Sequence, residues 1–290
     1  MMSGTGAAGQ HRPLRRLAAA LVGSLLCGGA VADDAGERAW RLGVHPYISA
    51  TQLLERLQPL ADYLTETTGD RFEVRVANSY EAHIHAVAEG QVDLAYMGPS
   101  SYGRLWLEHG RHEVLARQEV QGRDVFHGIL AVRDDSDLEA LPEVEGRTVA
   151  FVSDDSTMGY RMPRQMLAEA GVEPGDTDSW SFLGNHFNVA SAVLLGDVEV
   201  GAMREEVFRR FRSRGVRALA RTEPVPQHPW VVRQGVAAER VERWREALLD
   251  LSDHPQGEAV LEALGPEVTG LVPASAEDYR PLRELVESAP

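Results

Sequence analysis

Residues 80–97 read YEAHIHAVAEGQVDLAYM, and residues 186–203 read HFNVASAVLLGDVEVGAM. At a constant offset of 106 residues these two stretches share five identities. The identical pairs are Ala86/Ala192, Val87/Val193, Gly90/Gly196, Val92/Val198 and Met97/Met203. In each stretch a helical pattern ends near a glycine, and an apolar run typical of a buried strand follows. The repetition favours two structurally similar halves, although chance or generic β/α sequence is the alternative.

A strand and a helix precede each of these stretches. Residues 40–44 are a short apolar run, after which leucines recur at helical spacing from Leu53 to Leu64. Residues 148–153 form the corresponding run in the second half, and a helical pattern follows at 165–170. Strands and helices that alternate in this way indicate a mainly parallel sheet with helices on both faces.

Two segments are candidate crossings between the halves: the polar residues 133–142 and the proline-interrupted residues 221–229. We therefore predict an α/β protein of two lobes, each a mainly parallel sheet flanked by helices, with a ligand cleft between the lobes. The first lobe is predicted to comprise residues 33–130 and 222–290, and the second lobe residues 131–221.

The first 32 residues differ in composition from the rest of the chain. They contain no acidic residue, place three arginines before the apolar run 17–29, and end in Ala30-Val31-Ala32. This pattern is typical of a secretory signal peptide spanning residues 1–32, and the run is too short to span a bilayer. We therefore predict a soluble, exported protein.

Cys27 is the single cysteine of the chain. A lipoprotein processing site needs a small residue before the cysteine, and Leu26 is large, so lipid anchoring at Cys27 is not expected. Cleavage after Ala32 removes the thiol, which excludes thiol catalysis, disulfides and cysteine metal sites from the predicted mature chain.

The charge of the chain restricts its partners. Its 44 acidic residues outnumber 29 basic ones, all of which are arginine, for a net charge of -15. Such an acidic chain is not expected to bind nucleic acid or to dock on anionic lipid. Without lysine it has no Schiff base and no phosphate-loop lysine.

Two strand-to-helix junctions carry hydroxyl groups. Ser156 and Thr157 lie between the strand that ends near Phe151 and the helix that follows, and Ser100 and Ser101 lie at the matching junction of the other half. Helix N-termini bind anions through backbone N–H groups, and open α/β sheets bind ligands at the carboxyl ends of their strands. The two junctions together therefore predict an oxyanion site in the cleft, although hydroxyls at such positions also serve simply as N-caps.

Short motifs that resemble a known family are distributed over nearly the whole predicted mature chain. They are Gly43-Val-x-Pro46, Pro59-Leu-Ala-Asp-Tyr-Leu64, Tyr80, Gly90-Gln-Val-Asp-Leu-Ala95, Gly98-Pro-x-Ser-Tyr102, Asp135-Ser136, Gly146-Arg-Thr-Val-Ala-Phe151, Ser156-Thr-x-Gly-Tyr160, Pro163, His186, Ala192-Val193, Gly196 and Pro224-x-Pro226. In order and spacing they resemble the phosphate/phosphite/phosphonate (PhnD-like) substrate-binding proteins of ABC importers. The resemblance implies a periplasmic protein with the type II periplasmic binding-protein fold.

The resemblance also implies roles for individual residues. Ser156 and Thr157 would donate hydroxyl hydrogen bonds to the oxyanion, with help from N–H groups around Met158 and Gly159. Tyr80 would donate its phenol from the opposite lobe. His186, which lies 106 residues after Tyr80, aligns with a family histidine that contacts the oxyanion. Glu206 aligns with an acid that receives an amine or a protonated ligand oxygen.

Three positions depart from the family pattern. Met158 replaces a third hydroxyl residue, Phe126 stands at a family tyrosine, and His228 stands where an aspartate often meets an aminoalkyl group. These departures move the expected ligand from aminoethylphosphonate towards phosphite, methylphosphonate or an unrelated anion. Because the chain has no lysine, we expect neutral donors, with His186 among the groups at the site, to hold the charge.

The leading hypothesis is a monomeric binding protein that delivers a small oxyanion to an ABC permease in the inner membrane and needs neither cofactor nor metal. The alternative is a sensory component that presents the bound oxyanion to a membrane histidine kinase. A remote alternative is a serine hydrolase with Ser156 or Ser101 as nucleophile and His186 or His228 as base. Neither a Gly-x-Ser-x-Gly elbow nor a Ser-x-x-Lys motif occurs in the sequence.

Two other groups of residues are predicted to lie on the exposed surface of the protein. His83 and His85 lie two residues apart in a predicted helix and point in divergent directions, so they cannot share a metal there. Residues 204–217 alternate acids and arginines, a pattern typical of an exposed helix.

Overall fold

A computed structural model describes residues 38–265 and 267–288, so the predicted signal peptide lies outside the described residues. In chain order the main elements are β1 (Trp40–Val44), α1 (Ala50–Thr68), β2 (Phe72–Val76), α2 (Tyr80–Ala88), β3 (Leu94–Tyr96), α3 (Pro99–His109), β4 (Glu113–Val120), β5 (Val125–Phe126), β6 (Gly128–Arg133), β7 (Thr148–Phe151), α4 (Met162–Glu169), β8 (Ser179–Phe182), α5 (His186–Leu195), β9 (Val200–Arg204), α6 (Glu205–Arg212), β10 (Val216–Arg221), β11 (Val225–Pro226), β12 (Pro229–Val232), α7 (Ala238–Leu249), α8 (Gly257–Leu264), β13 (Val268–Val272) and α9 (Arg280–Ser288). Among the helices of these residues, none is long and apolar enough to cross a membrane.

Each lobe is built on its own sheet. The six-stranded sheet of the first lobe has the order β13-β4-β12-β3-β1-β2, and the five-stranded sheet of the second lobe has the order β10-β6-β9-β7-β8. In both sheets three strands are parallel, β2-β1-β3 and β8-β7-β9, and an antiparallel strand, β12 or β6, pairs with the third. The two-lobed α/β fold predicted from the sequence is confirmed, although each sheet is mixed.

The mixed character follows from how the chain crosses between the lobes. β6 enters the second sheet from the first lobe, and β12 returns to the first sheet from the second, so neither strand needs the helical crossover that joins parallel neighbours. Between the sheets, β5 and β11 pair antiparallel and form a connecting ribbon. The predicted lobe boundary at 130/131 falls inside β6, and the boundary at 221/222 follows the end of β10. Both boundaries stay predictions.

The repeat at 106 residues corresponds to real structural equivalence. Tyr80 and His186 are the first residues of α2 and α5, and Leu94 and Val200 are the first residues of β3 and β9. The prediction of two similar halves is confirmed by this agreement and by the shared strand order.

Helix α1 shows how local sequence produces these elements. The Ser49 side chain accepts a hydrogen bond from the Gln52 N–H at its start, and Gly69 ends it in the left-handed conformation with φ 75°. Between these ends, leucines spaced three and four residues apart form a buried stripe that packs against the sheet. Each fully buried leucine contributes about 2 kcal/mol relative to exposure. The stripe therefore orients the helix and leaves the carboxyl ends of the strands facing the other lobe.

Candidate functional site

A small cavity lies between the two sheets, at the carboxyl ends of their parallel strands. Its walls are formed by His45, Tyr80, Gly98, Phe126, Ser156, Thr157, Met158, His186, Arg204 and His228. Seven of these residues are among those predicted from the sequence as ligand contacts, and the structure brings them together. Their contact with a ligand stays a prediction. Sequence reasoning did not find His45, Gly98 and Arg204.

Tyr80 and His186 occupy equivalent places in the two lobes. In each case the preceding residue, Ser79 or Asn185, caps the helix by accepting a hydrogen bond from a backbone N–H of the first turn. The caps fix where each helix begins and so place its first side chain at the cavity. Burial raises the pKa of Tyr80, so its phenol remains a hydrogen-bond donor at neutral pH.

Ser156 organises the turn that follows β7. Its Oγ accepts a hydrogen bond from the Gly159 N–H at 3.1 Å and caps the single π-helical turn Thr157–Arg161. A Cβ on residue 159 would lie 2.4 Å from a side-chain atom of Val152, so the turn requires glycine. Because the Ser156 hydroxyl accepts this bond, its own proton stays available for donation.

The same turn contacts the first lobe directly. Thr157 Oγ1 accepts a hydrogen bond from the Ser100 N–H at 2.9 Å, and Ser101 Oγ donates to the Asp155 carbonyl at 3.1 Å. Arg104 adds an ion pair with the Asp155 carboxylate at 2.8 Å. The sequence analysis predicts Ser100 and Ser101 as ligand contacts, but the structure places them at this lobe-to-lobe contact and not on the cavity wall. The reason is that the N-terminus of α3 abuts the turn, where the Ser100 N–H and the Ser101 hydroxyl bond to it, while the Ser100 hydroxyl has no hydrogen-bond partner among the described residues.

Arg204 places a positive charge in the wall of the small cavity. It ends β9, its side chain is 7% exposed, and its Nη2 lies 3.6 Å from Glu206 Oε2. Its Nε and Nη1 have no hydrogen-bond partner within the described part of the chain. The guanidinium carbon lies 5.0 Å from the ring centroid of Tyr47 and 5.9 Å from that of Phe126. A buried cation with unpaired donors is costly unless an anion joins it.

The interpretation of Arg204 as part of an exposed helix, which the charge-rich residues 204–217 suggest, is wrong. The cavity for which the sequence predicts neutral donors also has a guanidinium group in its wall. The repeat contained the missing signal, since Arg204 lies 106 residues after Gly98. Both residues precede a helix at the end of the third parallel strand of their sheet, and both line the cavity.

Three buried histidines surround this guanidinium: His45, His186 and His228. Burial lowers the pKa of each well below its ordinary value, because the charged ring loses hydration. Electrostatic interaction lowers the pKa further, chiefly with His83 for His45 and with the Arg204 cation for His186 and His228. The three imidazoles are therefore neutral at pH 7.

Hydrogen bonds assign the proton positions on these rings. His186 Nδ1 accepts from the Arg204 backbone N–H at 3.1 Å, so the neutral ring carries its proton on Nε2. His45 Nδ1 lies 3.2 Å from the Tyr96 carbonyl and His228 Nδ1 lies 3.2 Å from Gln227 Oε1, so each donates from Nδ1 and keeps a lone pair on Nε2. The cavity thus has one imidazole donor and two imidazole acceptors.

Two of the departures from the family pattern give the cavity an apolar side. The Phe126 and His228 ring centroids are 4.9 Å apart, and His228 stacks on Tyr96 at 4.9 Å. Met158 is buried, and its Sδ accepts a hydrogen bond from Thr222 Oγ1 at 3.5 Å. An apolar substituent on a ligand fits against this side better than a charged one does.

Glu206 does not line the small cavity. It lines a second, larger cavity. Three guanidinium groups approach its carboxylate: Arg56 at 3.6 Å, Arg204 at 3.6 Å and Arg210 at 3.1 Å. Burial alone would raise the pKa of Glu206, but these arginines outweigh it and hold the pKa below its ordinary value. The carboxylate expected to receive an amine or a protonated ligand oxygen is therefore already engaged.

The two neighbouring histidines His83 and His85 are not alike. His83 is buried, and its Nε2 lies 3.1 Å from the Tyr96 carbonyl, so the surface interpretation is wrong for this residue. Gly43 makes the space, since a Cβ there would lie 3.1 Å from a His83 ring carbon. The His85 side chain is 47% exposed, as expected.

Two lobes joined by crossing strands, with a polar cavity between them that includes a buried cation, define a solute-binding protein of the two-lobed class. A family model described as "ABC transporter, phosphonate, periplasmic substrate-binding protein" matches residues 42–279. The chain belongs to this family, as the sequence motifs predict. Its members are binding proteins and not enzymes, which argues against the hydrolase alternative.

Two curated relatives match this chain at low sequence identity. The phosphate-import protein PhnD of Mycolicibacterium smegmatis is 27% identical over 170 residues, which cover 55% of this chain and 53% of that protein. The tetrathionate sensor histidine kinase TtrS of Salmonella typhimurium is 25% identical over 171 residues, which cover 56% of this chain and 27% of that protein. The matches thus involve about half of the length of one curated relative and about a quarter of the other.

A solved structure shares the fold. PhnD1 from Prochlorococcus marinus, in complex with methylphosphonate, superimposes with a TM-score of 0.78 at 18% identity, covering 86% of this chain and 97% of that one. This likeness confirms the two-lobed architecture.

Proposed function

We propose that the protein is a periplasmic solute-binding protein that captures a small oxyanion of the phosphonate, phosphite or phosphate class and delivers it to an ABC importer. The observation that carries the proposal is Arg204, a buried guanidinium whose Nε and Nη1 have no partner among residues 38–265 and 267–288. Membership in the phosphonate-binding family supports the same ligand class.

The groups around Arg204 suit a tetrahedral oxyanion. Ser156 and Thr157 offer hydroxyl protons, Tyr80 offers its phenol, and His186 offers Nε2–H. Charge-assisted hydrogen bonds of this kind are the strong ones, and Arg204 has two nitrogens, Nε and Nη1, free to donate them among the described residues. The donors come from both lobes, so a bound oxyanion links them.

The acceptors of the cavity indicate the ligand's protonation state. His45 and His228 each keep a lone pair on Nε2, which repels a bare anionic oxygen but accepts a hydrogen bond from a protonated one. The site therefore favours an oxyanion that still carries one proton. Monoprotonated phosphonate, phosphite and phosphate all meet this requirement.

Two observations support phosphite or methylphosphonate over aminoethylphosphonate. Phe126 and Met158 form an apolar side of the cavity, and Glu206, the acid expected to meet an amine, is held by three arginines. An ammonium group would have to compete with these guanidinium groups for the carboxylate.

Capture is proposed to close the lobes and so mark the loaded form for a permease. The Thr157 to Ser100 hydrogen bond and the Arg104 to Asp155 ion pair join the lobes beside the cavity. A ligand that touches both lobes stabilises this arrangement by its differential affinity for the closed state.

Calorimetric titration of the purified protein with phosphate, phosphite, methylphosphonate and sulfate tests the proposal. We expect one site per chain for a phosphorus oxyanion and weaker binding of sulfate, which carries no proton at pH 7. A protein that binds none of the three phosphorus compounds does not have the proposed function.

Export through the signal peptide is part of the proposal. The composition of residues 1–32 supports it, and the family is periplasmic. Mass spectrometry of the protein from a periplasmic extract should find a chain that begins at Asp33. A chain that retains residues 1–32 in the cytoplasmic fraction would contradict it.

A sensory role is the second candidate, because the match to the tetrathionate sensor kinase covers 171 residues, about as many as the match to the importer protein. In that case the bound oxyanion would be presented to a membrane histidine kinase. Deletion of the gene separates the roles: loss of phosphonate uptake supports the importer, and intact uptake with loss of a ligand-dependent transcriptional response supports the sensor.

A further inference from the structure

The larger cavity lies directly beside the small one. The two cavities share Phe126 and Arg204 as walls. The lining of the larger cavity combines polar and apolar side chains, among them Tyr47, Gln118, Leu264 and Val268. A ligand with its phosphonate in the small cavity would need a substituent longer than methyl to reach this neighbouring space beside Arg204.

The charge around this second cavity favours an anion. Arg56, Arg123, Arg204 and Arg209 line it, against Glu205, Glu206 and Glu267. Each of these carboxylates already has a guanidinium partner: Glu205 pairs with Arg221 at 3.0 Å, Glu267 with Arg209 at 2.7 Å, and Glu206 with three arginines. No carboxylate of the lining is therefore left to receive a cation.

The surplus of positive charge is greatest near Glu206. Arg56, Arg204 and Arg210 share this single carboxylate, so the cluster holds two uncompensated positive charges. The side chains of Arg56 and Arg204 are 15% and 7% exposed, so little water solvates them. Arg56 and Arg204 line the larger cavity and Arg210 does not. An anionic group placed there would gain two guanidinium contacts and relieve their mutual repulsion.

We infer that the ligand is an alkylphosphonate whose short chain ends in a carboxylate, with the phosphonate in the small cavity and the carboxylate beside Arg56 and Arg204 in the larger one. The inference rests on the proposed function and specifies its substrate class. It makes Arg56 a specificity-determining residue for the far end of the ligand.

A matched set of ligands tests the inference by calorimetry: 3-phosphonopropionate, 2-aminoethylphosphonate, propylphosphonate and methylphosphonate. The first three have the same chain length and end in an anion, a cation and a neutral methyl group. We expect 3-phosphonopropionate to bind at least tenfold more tightly than propylphosphonate and 2-aminoethylphosphonate. Equal or weaker binding of 3-phosphonopropionate overturns the inference.

Two variants locate the carboxylate. Arg56→Gln should reduce the preference for 3-phosphonopropionate over propylphosphonate to less than threefold. Arg210→Gln removes a charge from the same Glu206 cluster but outside the cavity, and should preserve the preference. Arg56 and Glu206 lie in different lobes, so Arg56→Gln can also weaken closure of the lobes. A weaker closure lowers the affinities for 3-phosphonopropionate and propylphosphonate equally, so their ratio is unaffected by it.

The outcomes separate the inference from the proposed function. If methylphosphonate binds and the carboxylate gives no advantage, the inference is wrong and the proposed function stands. If none of the phosphonates binds, the proposed function is wrong and the inference falls with it. If the two variants reduce the preference equally, the carboxylate does not lie beside Arg56, and the inference is wrong.

Discussion

Thr157 bonds to the first lobe and is proposed to bond to the ligand. Its Oγ1 accepts the Ser100 N–H at 2.9 Å, and its hydroxyl proton remains for a ligand oxygen. The residue is buried, so an unpaired N–H left there by removal of the hydroxyl could not be hydrated in the closed form. One side chain therefore couples ligand binding to contact between the lobes.

Thr157→Val keeps the shape of this side chain and removes its hydroxyl. We expect oxyanion affinity to fall by about 1.5 to 3 kcal/mol, which is the loss of a hydrogen bond to a charged group. Calorimetry measures the change. Thr148→Val is the matched control, because the Thr148 hydroxyl bonds to Glu199 within the second lobe. Unchanged affinity in the Thr157 variant would remove this residue from the site.

His83 predicts a pH dependence of stability. Burial lowers the pKa of His83 from 6.5 to about 4, so between these values the unfolded chain binds a proton that the folded chain does not. The free energy of unfolding therefore falls as pH drops from 6.5 to 4, by about 1.4 kcal/mol per pH unit from this residue.

Denaturant titrations across this pH range test the effect. His83→Gln should lose less stability between pH 6.5 and pH 4 than the wild type does, by about 3 kcal/mol over the range. His85→Gln, a change on the exposed side of the same helix, should keep the wild-type dependence. Identical pH curves for all three proteins would show that His83 is not buried as described.

Among the elements, the turn between β7 and α4 has the least freedom to vary. A Cβ on residue 159 would meet Val152 at 2.4 Å and Ser156 Oγ at 2.6 Å. We therefore expect Gly159→Ala to lower the free energy of unfolding by about 1 to 3 kcal/mol and to weaken ligand binding, because the turn must shift. Gly175→Ala, where no atom lies within 4 Å of the added carbon, is the control for thermal unfolding and calorimetry. A Gly159 variant that behaves like the Gly175 variant contradicts the packing described here.

Helix α3 holds the lobes together through Arg104. Its Nη1 lies 2.8 Å from Asp155 Oδ2 in the second lobe, and the Asp155 side chain is 1% exposed. Arg104→Gln should weaken binding of every ligand by the same factor, about fivefold, because less of the protein occupies the closed form.

A comparison of two ligands distinguishes an effect of Arg104 on lobe closure from direct contact between Arg104 and the ligand. The ratio of affinities for phosphite and methylphosphonate should be the same in the wild type and in Arg104→Gln. Arg147→Gln removes ion pairs within the second lobe and should leave both affinities unchanged. A changed ratio in the Arg104 variant would mean that this residue touches the ligand.

The sequence predicts the elements better than it predicts their contacts. The 106-residue repeat and the helical spacing of Leu53 to Leu64 report local structure, which short-range patterns encode. Contacts such as Thr157 to Ser100 depend on how two lobes meet, and no pattern within either segment reports them. Arg204 is an intermediate case. The repeat ends at Met97 and Met203, and continuing it by one residue pairs Arg204 with Gly98.

At the scale of the whole molecule, net charge and ligand charge have the same sign. The chain carries -15 overall, yet an anion is proposed to bind between its lobes. Salt screens charges beyond about 8 Å at physiological ionic strength, so the local field decides. Arg204, the hydroxyl groups and His186 supply that field within the cavity, and the surface acidity affects solubility instead.

The central claim is that Arg204 holds an oxyanion between the lobes, and calorimetric titration of methylphosphonate into the wild type and Arg204→Gln tests it most directly. The account predicts one site in the wild type and affinity weaker by about 30-fold or more in the variant, since at least one charged hydrogen bond is lost. Thermal unfolding checks that the variant is folded, since it loses the ion pair with Glu206, which keeps Arg56 and Arg210 as partners. Arg221→Gln, on an exposed strand of the same lobe, should bind like the wild type. Equal affinity of the wild type and a folded Arg204 variant would contradict the account.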